Sequence, residues 1–425
     1  MVLADNGASQ EGGPFGVMHE MKFFNGIFDL PDDVVDRIDD IGGPHSHTNY
    51  PWGWAQCGNS PFKWYKQNTH EGGVHVPMIV HAPGHVDAAS TGTKRAQFVN
   101  VADIVPTIYE LVGVTPPATH RGVEQLPVTG HSFASILADP GAPATNTLQY
   151  FEMTGSRALV AESGGEWWKA VCKHTQGADY DTEPWELYRL DDDWAECRDL
   201  AADEPERLRH LIELWWQEAE RHGVLPLDDR LVELFGARFR PDSPHPESRR
   251  YVYRPPMSPL PGQAAAAIGG RSFDLTAQIT RSNGDDGVLY ATGTQNAGMS
   301  VFVQHDRVVV DYNAFDDHVI LESDIDVPEG DSTVVVQVRR GDDRAGRMAI
   351  EIDGVAAGAV DLPLFMRMMS SVGPSVGYDH GSPVSNRYEA PFPFAGTLHE
   401  VVIQLLSQHD LATRDAEAAA EMSRQ

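Results

Sequence analysis

The sequence predicts an α/β domain, then a small antiparallel α+β subdomain, then an all-β sandwich. Three observations carry that expectation. A β-rich run from Val74 to Gly84 is followed by a helix-period stretch from Asn100 to Gly113, and strand, loop and helix in that order suit the closing part of an α/β layer. Four β-rich runs between Leu148 and Leu190 precede one amphipathic stretch from Glu204 to His222. Beyond about Ile268, short alternating runs recur between Gly, Asn and Asp turns with no helical period between them, as in an antiparallel sandwich.

Taken in order, Val2-Leu3-Ala4 reads as the end of a strand running into the polar loop Asp5-Asn6-Gly7, a start that resembles the interior of a domain. Residues up to 85 are rich in Gly, Pro, His and aromatics, and long ordered loops of that kind are usually functional. Val74 to Gly84 closes on Pro83-Gly84, a strand signature. In the helical stretch Val101, Ile104, Val105, Ile108 and Leu111-Val112 recur at helical spacing. Pro106 falls in the first turns, where it is tolerated, and Gly113 follows as a stop. His131 to Leu137 is a short helix. Leu148–Glu152, Ser156–Glu162, Glu166–His174 and Glu186–Leu190 are the strands of the subdomain. Its helix places Leu208, Leu211-Ile212, Trp215 and Ala219 on one face. Pro241 to Pro261 is Pro/Ser/Arg-rich linker sequence. The expected boundaries are therefore 1–125, 126–240, a linker at 241–267, a jelly-roll-like sandwich at 268–408 and a charged tail at 409–425.

Lys and Arg total 32 against 62 Asp and Glu, a net charge of −30 in 425 residues. Such a field repels phosphate backbones and anionic lipid, so nucleic-acid and membrane-surface partners are not expected. No run reaches the roughly 20 apolar residues of a membrane span, and the first residues lack a basic and apolar leader, so the expectation is a cytoplasmic protein. Three cysteines, Cys57, Cys172 and Cys197, are too few for a disulfide framework.

Two segments carry candidate chemistry. Asp5-Asn6-Gly7 is a favoured hairpin turn, but it leaves the end of a strand, where α/β sheets bind ligands. A carboxylate and a carboxamide oxygen side by side are hard donors suited to Ca²⁺, with Mg²⁺ as the alternative. In Lys66-Gln67-Asn68-Thr69-His70-Glu71-Gly72-Gly73, a lysine lies in a polar loop ahead of a Gly-Gly pair. Most lysines are solvated surface groups, but beside a metal this one would be an anion clamp.

Together the two segments resemble the type I sulfatases, the arylsulfatases of the alkaline-phosphatase superfamily. The resemblance rests on VLADNGASQEGG at 2–13, GGPHSHTNYPWGWAQ at 42–56, SPFKWYKQNTHEGGVHVPMIVHAPG at 60–84 and FVNVADIVPTIYELVGV at 98–114. The block from Trp185 to Leu190 and from Glu196 to Ala201 extends it to about residue 225. The resemblance makes 1–125 the C-terminal part of a sulfatase catalytic domain. It implies that Asp5 and Asn6 are two ligands of a catalytic Ca²⁺, and that Lys66 contacts the sulfate. It also implies a small-molecule sulfate ester as substrate, while oligomeric state is left open. Glu71, Gly72 and Gly73 read as loop-holding residues, and His70 and His75 as groups behind or beside the site.

One departure is decisive. The family's nucleophile is a formylglycine made from Cys in Cys-x-Pro/Ala-x-Arg. Cys57 is followed by Gly-Asn-Ser-Pro, Cys172 by Lys-His-Thr-Gln and Cys197 by Arg-Asp-Leu-Ala, so the motif is absent. Asp32-Asp33 reads as a helix start rather than the family's metal pair. The expectation is a sulfuric ester hydrolase present as a fragment and inactive alone. Two alternatives stand beside it: a phosphodiesterase or phosphonate hydrolase of the same superfamily, and a carbohydrate-binding sandwich. The second would use Tyr290, Phe302, Tyr312, Phe315 and Tyr378 as platforms, although alternation buries every second strand residue.

Overall fold

The computed structural model describes residues 1–230, 250–370, 372–407 and 412–416. Its contacts divide the chain into two compact units, Met1–Ser9 with Gly53–Asp229, and Gln10–Trp52 with Arg230–Gln425.

In the first unit, Val2–Leu3 pairs antiparallel with Met78–Ile79 in a two-stranded sheet. The strand expected over Val74 to Gly84 is thus only two residues long, because Glu71–Val74 turns into one helical turn first. The helix appears as Ile104–Val112 behind a short 3-10 turn at Val101–Asp103. Asn100 and Asp103 form a reciprocal capping box at its start, and Gly113 ends it in the left-handed region at φ 68°. Its inward face, Ile104 and Leu111, packs with Met78, Val80 and the helix Ala134–Ala138 around Phe133, Ile136 and Leu137.

Leu148–Met153, Ser156–Ser163, Glu166–Cys172 and Glu186–Arg189 form a four-stranded antiparallel meander. Pro205–Arg221 lays Leu211, Trp215 and Ala219 onto Leu159, Ala161, Trp168, Ala170 and Leu187. Every pairing between the strands of this unit is antiparallel. The parallel sheet that a strand–loop–helix order suggests is not formed among the described residues, since Val2–Leu3 and Met78–Ile79 have only each other.

The second unit is the sandwich. One sheet runs in the order Val355–Leu362, Gly346–Ile352, Gly330–Arg340, Phe273–Arg281, Thr397–Leu405 and Arg250–Tyr253. The other runs Asp317–Glu322, Arg307–Ala314, Ala297–Gln304, Gly287–Thr294 and Ser375–Val376. Alternation drives the register. Phe273, Leu275, Ala277 and Ile279 point into the core, as do Val334, Val336 and Val338 on the neighbouring strand. The expected linker is shortened, because Arg250–Tyr253 is an edge strand paired with Thr397–Leu405. Residues 241–249 and most of the expected tail lie outside the described residues.

The expected 1–125 domain is also corrected. Gln10–Trp52 belongs with the sandwich, for a reason the sequence hides. Met21 and Phe24, on the short helix Glu20–Phe24, enter the sandwich core. Asn25, fully buried, donates from Nδ2 to the carbonyls of Met21 (2.7 Å) and Met368 (2.8 Å). Its Oδ1 accepts from the backbone N–H of Arg367 at 2.6 Å. No periodicity announces a single asparagine that acts as a clamp.

Four of the five proposed sugar platforms are core residues. Tyr290, Phe302 and Tyr312 are fully buried and Phe315 nearly so. Tyr378 is half-buried, with its hydroxyl 3.4 Å from the Met257 carbonyl.

Candidate active site

The bend that carries Asp5 and Asn6 is welded to the loop that carries Lys66 through backbone groups. Gly7 N–H donates to the Gly73 carbonyl and Lys66 N–H to the Ala8 carbonyl, both at 3.1 Å. Ala8 N–H donates to Asn59 Oδ1 at 3.0 Å. From the helix Trp52–Asn59, the same Asn59 donates through Nδ2 to the carbonyls of Gly72 (2.6 Å) and Trp64 (3.0 Å). One carboxamide thus ties three backbone segments together.

Glycine is required here for close approach. A Cβ on Gly7 would lie 1.7 Å from the Gly72 carbonyl oxygen, and one on Gly73 would lie 1.9 Å from that of Asn68. Trp64 and Gln67, on either side of Lys66, hold φ of 64° and 70°. Non-glycine residues adopt that region only when surrounding bonds impose it. The result sets Asp5 exposed, Asn6 half-buried and Lys66 only 7% exposed.

Two ionic networks underpin the Lys66 loop. Glu71 Oε1 receives the Lys169 ammonium at 2.7 Å, and Glu196 Oε1 lies 3.0 Å from the same nitrogen. Glu71 N–H donates to Glu196 Oε2 at 2.8 Å, and His75 Nδ1 meets Glu71 Oε2 at 2.7 Å. Burial alone would raise the Glu71 carboxyl; the Lys169 charge and the bonds from His75 and Lys169 overcome it and hold the group at about 2. Burial likewise works against the Lys169 charge, and the two carboxylates raise it above the ordinary lysine value. In the second network, His70 Nε2 lies 3.0 Å from Glu186 Oε2, which also accepts from Lys63 (2.9 Å) and from the Tyr188 hydroxyl (2.6 Å). The His70 bond, then those from Tyr188 and Lys63 acting against burial, keep Glu186 well below the usual carboxylate range.

Glu71 is therefore a buried structural ion, as the sequence suggested, while His70 is buried behind the loop and His75 is partly exposed. Sequence reasoning missed Asn59, Lys169, Glu186 and Glu196 as supports. Lys169 left a readable signal, because it interrupts the apolar strand Glu166–Cys172 at an inward position and buried lysines need carboxylate partners. Asp32 and Asp33 sit in the first turn of the helix Pro31–Val35, as expected of a helix start.

The donor chemistry at Asp5 and Asn6 suits a hard cation, but its count does not. Two side chains fall well short of the 6–8 oxygens Ca²⁺ takes. Among the described residues, no cluster of three or more His, Cys, Asp or Glu side chains could hold a metal ion. Cys57 and Cys197 are exposed free thiols and Cys172 is a buried one.

Residues 1–114 match the family model described as Sulfatase. Over those residues the chain is similar to sulfatases. A sulfatase of Schizosaccharomyces pombe is 31% identical over 208 residues, 48% of this chain and 35% of that protein. Arylsulfatase K of Xenopus laevis is 26% identical over 35% of this chain and 26% of its own length. Human N-acetylgalactosamine-6-sulfatase is 38% identical over 16% of this chain and 13% of its own. The sulfatase similarity thus spans about a third, or less, of these relatives' lengths. Asp5, Asn6 and Lys66 all lie within the sulfatase match, whereas Lys169, Glu186 and Glu196, which brace the Lys66 loop, lie beyond it.

Proposed function

We propose that this chain carries part of the active site of an arylsulfatase-type sulfuric ester hydrolase, with Lys66 as the sulfate-contacting residue and Asp5 and Asn6 as two donors to a Ca²⁺ ion. The observation that supports it is the backbone weld between the Asp5–Asn6 bend and the Lys66 loop, which sets the Lys66 backbone beside Ala8, two residues beyond Asn6. Cleaving a sulfate monoester places negative charge on the departing ester oxygen and leaves it on the sulfate. A fixed ammonium aimed at a sulfate oxygen lowers the energy of that charge, and in a partly buried position it does so more strongly than in water. Lys66 is the candidate for that role, since the φ values of its neighbours and the Ala8 bond limit where its side chain can start. A bound divalent cation would supply further charge stabilisation; among the described residues no group of three or more His, Cys, Asp or Glu side chains could hold one.

No residue of the chain supplies the family's nucleophile motif, so the chain by itself does not turn over sulfate esters. The test is p-nitrophenyl sulfate hydrolysis by the purified protein with millimolar Ca²⁺, beside Lys66→Ala. Rates equal to buffer for both are expected. Turnover above the Lys66→Ala control would mean that the chain holds a complete site.

A further inference from the structure

Within the second unit, residues 17–20 run beside residues 47–49. Val17 N–H donates to the Asn49 carbonyl and Glu20 N–H to the His47 carbonyl, both at 2.9 Å. That pairing leaves His19 only 1% exposed. The hairpin turn Gln295-Asn296, between the strands Gly287–Thr294 and Ala297–Gln304, belongs to the same unit. Its position is fixed: Gln295 Nε2 donates to the Pro44 carbonyl at 2.6 Å, and Asn296 N–H donates to Thr294 Oγ1 at 3.2 Å. His19, Glu20, Met21, Asn296, Ala297 and Val372 are among the residues that line a recess of about 40 Å³, room for roughly three water molecules or a group of that size. Neither His19 ring nitrogen has a hydrogen-bond partner, and neither does the buried Asn296 Oδ1. Buried polar atoms without partners are costly to fold around, so three of them on the walls of one recess point to a molecule that pairs with them.

The inventory of donors and acceptors selects that molecule. An anion would meet the Asn296 carboxamide oxygen and the carboxylate of Glu20, whose Oε2 lies 3.6 Å from His47 Nδ1. A cation would stand where a positive charge is already disfavoured: burial, then Lys22 and Arg37, hold the His19 ring at about 4, against the opposing pull of Asp316 and Asp29. Among the described residues no cluster of three His, Cys, Asp or Glu side chains could hold a metal ion. A neutral imidazole carries one donor and one acceptor, and a hydroxyl group carries the same pair, so the two match. Asn296 Oδ1 adds one more acceptor for a second hydroxyl. Met21, Ala297 and Val372 supply apolar wall for the C–H groups between. We propose that this recess binds a neutral polyhydroxy ligand, either a small polyol or the terminal ring of a sugar, which sets one hydroxyl on His19 and a neighbouring hydroxyl on Asn296 Oδ1. The inference is independent of the sulfatase reading, since it uses neither Asp5, Asn6 nor Lys66.

The experiment follows the ring-nitrogen resonances of ¹⁵N-histidine-labelled full chain by NMR, with those of His19 identified by their loss in His19→Leu. Glycerol, methyl galactoside and 1-propanol are each titrated from roughly 1 to 100 mM, the range that a ligand of so few atoms requires. Saturable shifts of the His19 nitrogens with glycerol or the galactoside are expected, and the tighter of the two tells polyol from sugar. 1-Propanol has no second hydroxyl and should leave them unmoved. Asn296→Ala should weaken binding about tenfold, as the loss of a bond to a buried acceptor does. Its circular dichroism should match the wild type's. His19→Leu, read by saturation transfer to the ligand, should abolish binding while keeping or raising the thermal midpoint, because it removes two unpaired buried nitrogens. Shifts that 1-propanol reproduces, or binding that survives both substitutions, would overturn the proposal. So would no response to either polyhydroxy probe, including the case in which His19 shows contacts to water alone that neither probe displaces.

Discussion

Gly7 and Gly72 meet so closely that a single methyl group on Gly7 would overlap the Gly72 carbonyl, at 1.7 Å. The approach lets the Asp5–Asn6 bend and the Lys66 loop share hydrogen bonds. Gly7→Ala should therefore destabilise the first unit by about 2–4 kcal/mol, as forced overpacking against rigid backbone does. Thermal unfolding measures it, with Gly58→Ala as the control. A Cβ on Gly58 meets nothing nearer than Ala8 at 4.0 Å, so that change should be neutral or slightly stabilising in its helix.

Lys169 holds two buried carboxylates apart from solvent and together with each other. Lys169→Met should cost about 3–5 kcal/mol, because it removes the ammonium that both buried carboxylates share, leaving Glu71 its bond to His75 and Glu196 its bond from the Glu71 N–H. Lys169→Arg should cost less while keeping the charge. Chemical denaturation of both variants decides whether the ammonium's charge or its packing matters more.

Glu71, held at about 2 against an ordinary value of 4.5, makes the first unit acid-sensitive in a defined window. A depressed carboxyl contributes stability that is fully present above about pH 4.5 and is lost as pH falls towards 2, on the order of 3 kcal/mol. Glu71→Gln should flatten that part of the stability–pH curve.

His19 acts in the second unit and at higher pH. It is almost fully buried with neither ring nitrogen hydrogen-bonded. Burial, then Lys22 and Arg37, lower it from 6.5 to about 4, with Asp316 and Asp29 opposing. Between those values the unfolded chain binds a proton that the native state refuses. Stability is therefore complete above about pH 6.5 and falls as pH drops to about 4, by an amount on the order of 3 kcal/mol. Unfolding of the sandwich, followed across that range, should lose this slope in His19→Asn.

Asn25→Ala should free the Gln10–Trp52 segment. The change leaves the Arg367 N–H and the Met368 carbonyl without their side-chain partners, a loss of about 2–4 kcal/mol. Limited proteolysis should then cut within residues 26–50 faster than in the wild type.

What the sequence made legible follows the range of the interactions. The capping residues Asn100 and Asp103 and the stop at Gly113 are local, and the helix stands where they put it. The four strands of the meander and most sandwich strands announce themselves by alternation. The strand Val355–Leu362 does not, since its AAGAV run lacks a polar–apolar contrast. Asp5, Asn6 and Lys66 were readable only as motifs. Their common neighbourhood depends on Asn59 and on Gly7 meeting Gly73, contacts separated by tens of residues that leave no period. The place of Gln10–Trp52 in the second unit is hidden for the same reason: Asn25 bonds to Met368, and Met21 and Phe24 join a core whose other members begin at Tyr253.

That excursion also dictates an order of events during synthesis. Met21, Phe24 and Asn25 leave the ribosome long before Met368 exists, so the sandwich cannot close until nearly the whole chain has emerged. In the interval the first unit must assemble around a dangling apolar loop joined to it at Ser9 and Gly53. A nascent chain stalled near residue 230 would then present Met21 and Phe24 to any chaperone within reach, and release from that chaperone would report on completion of the far end.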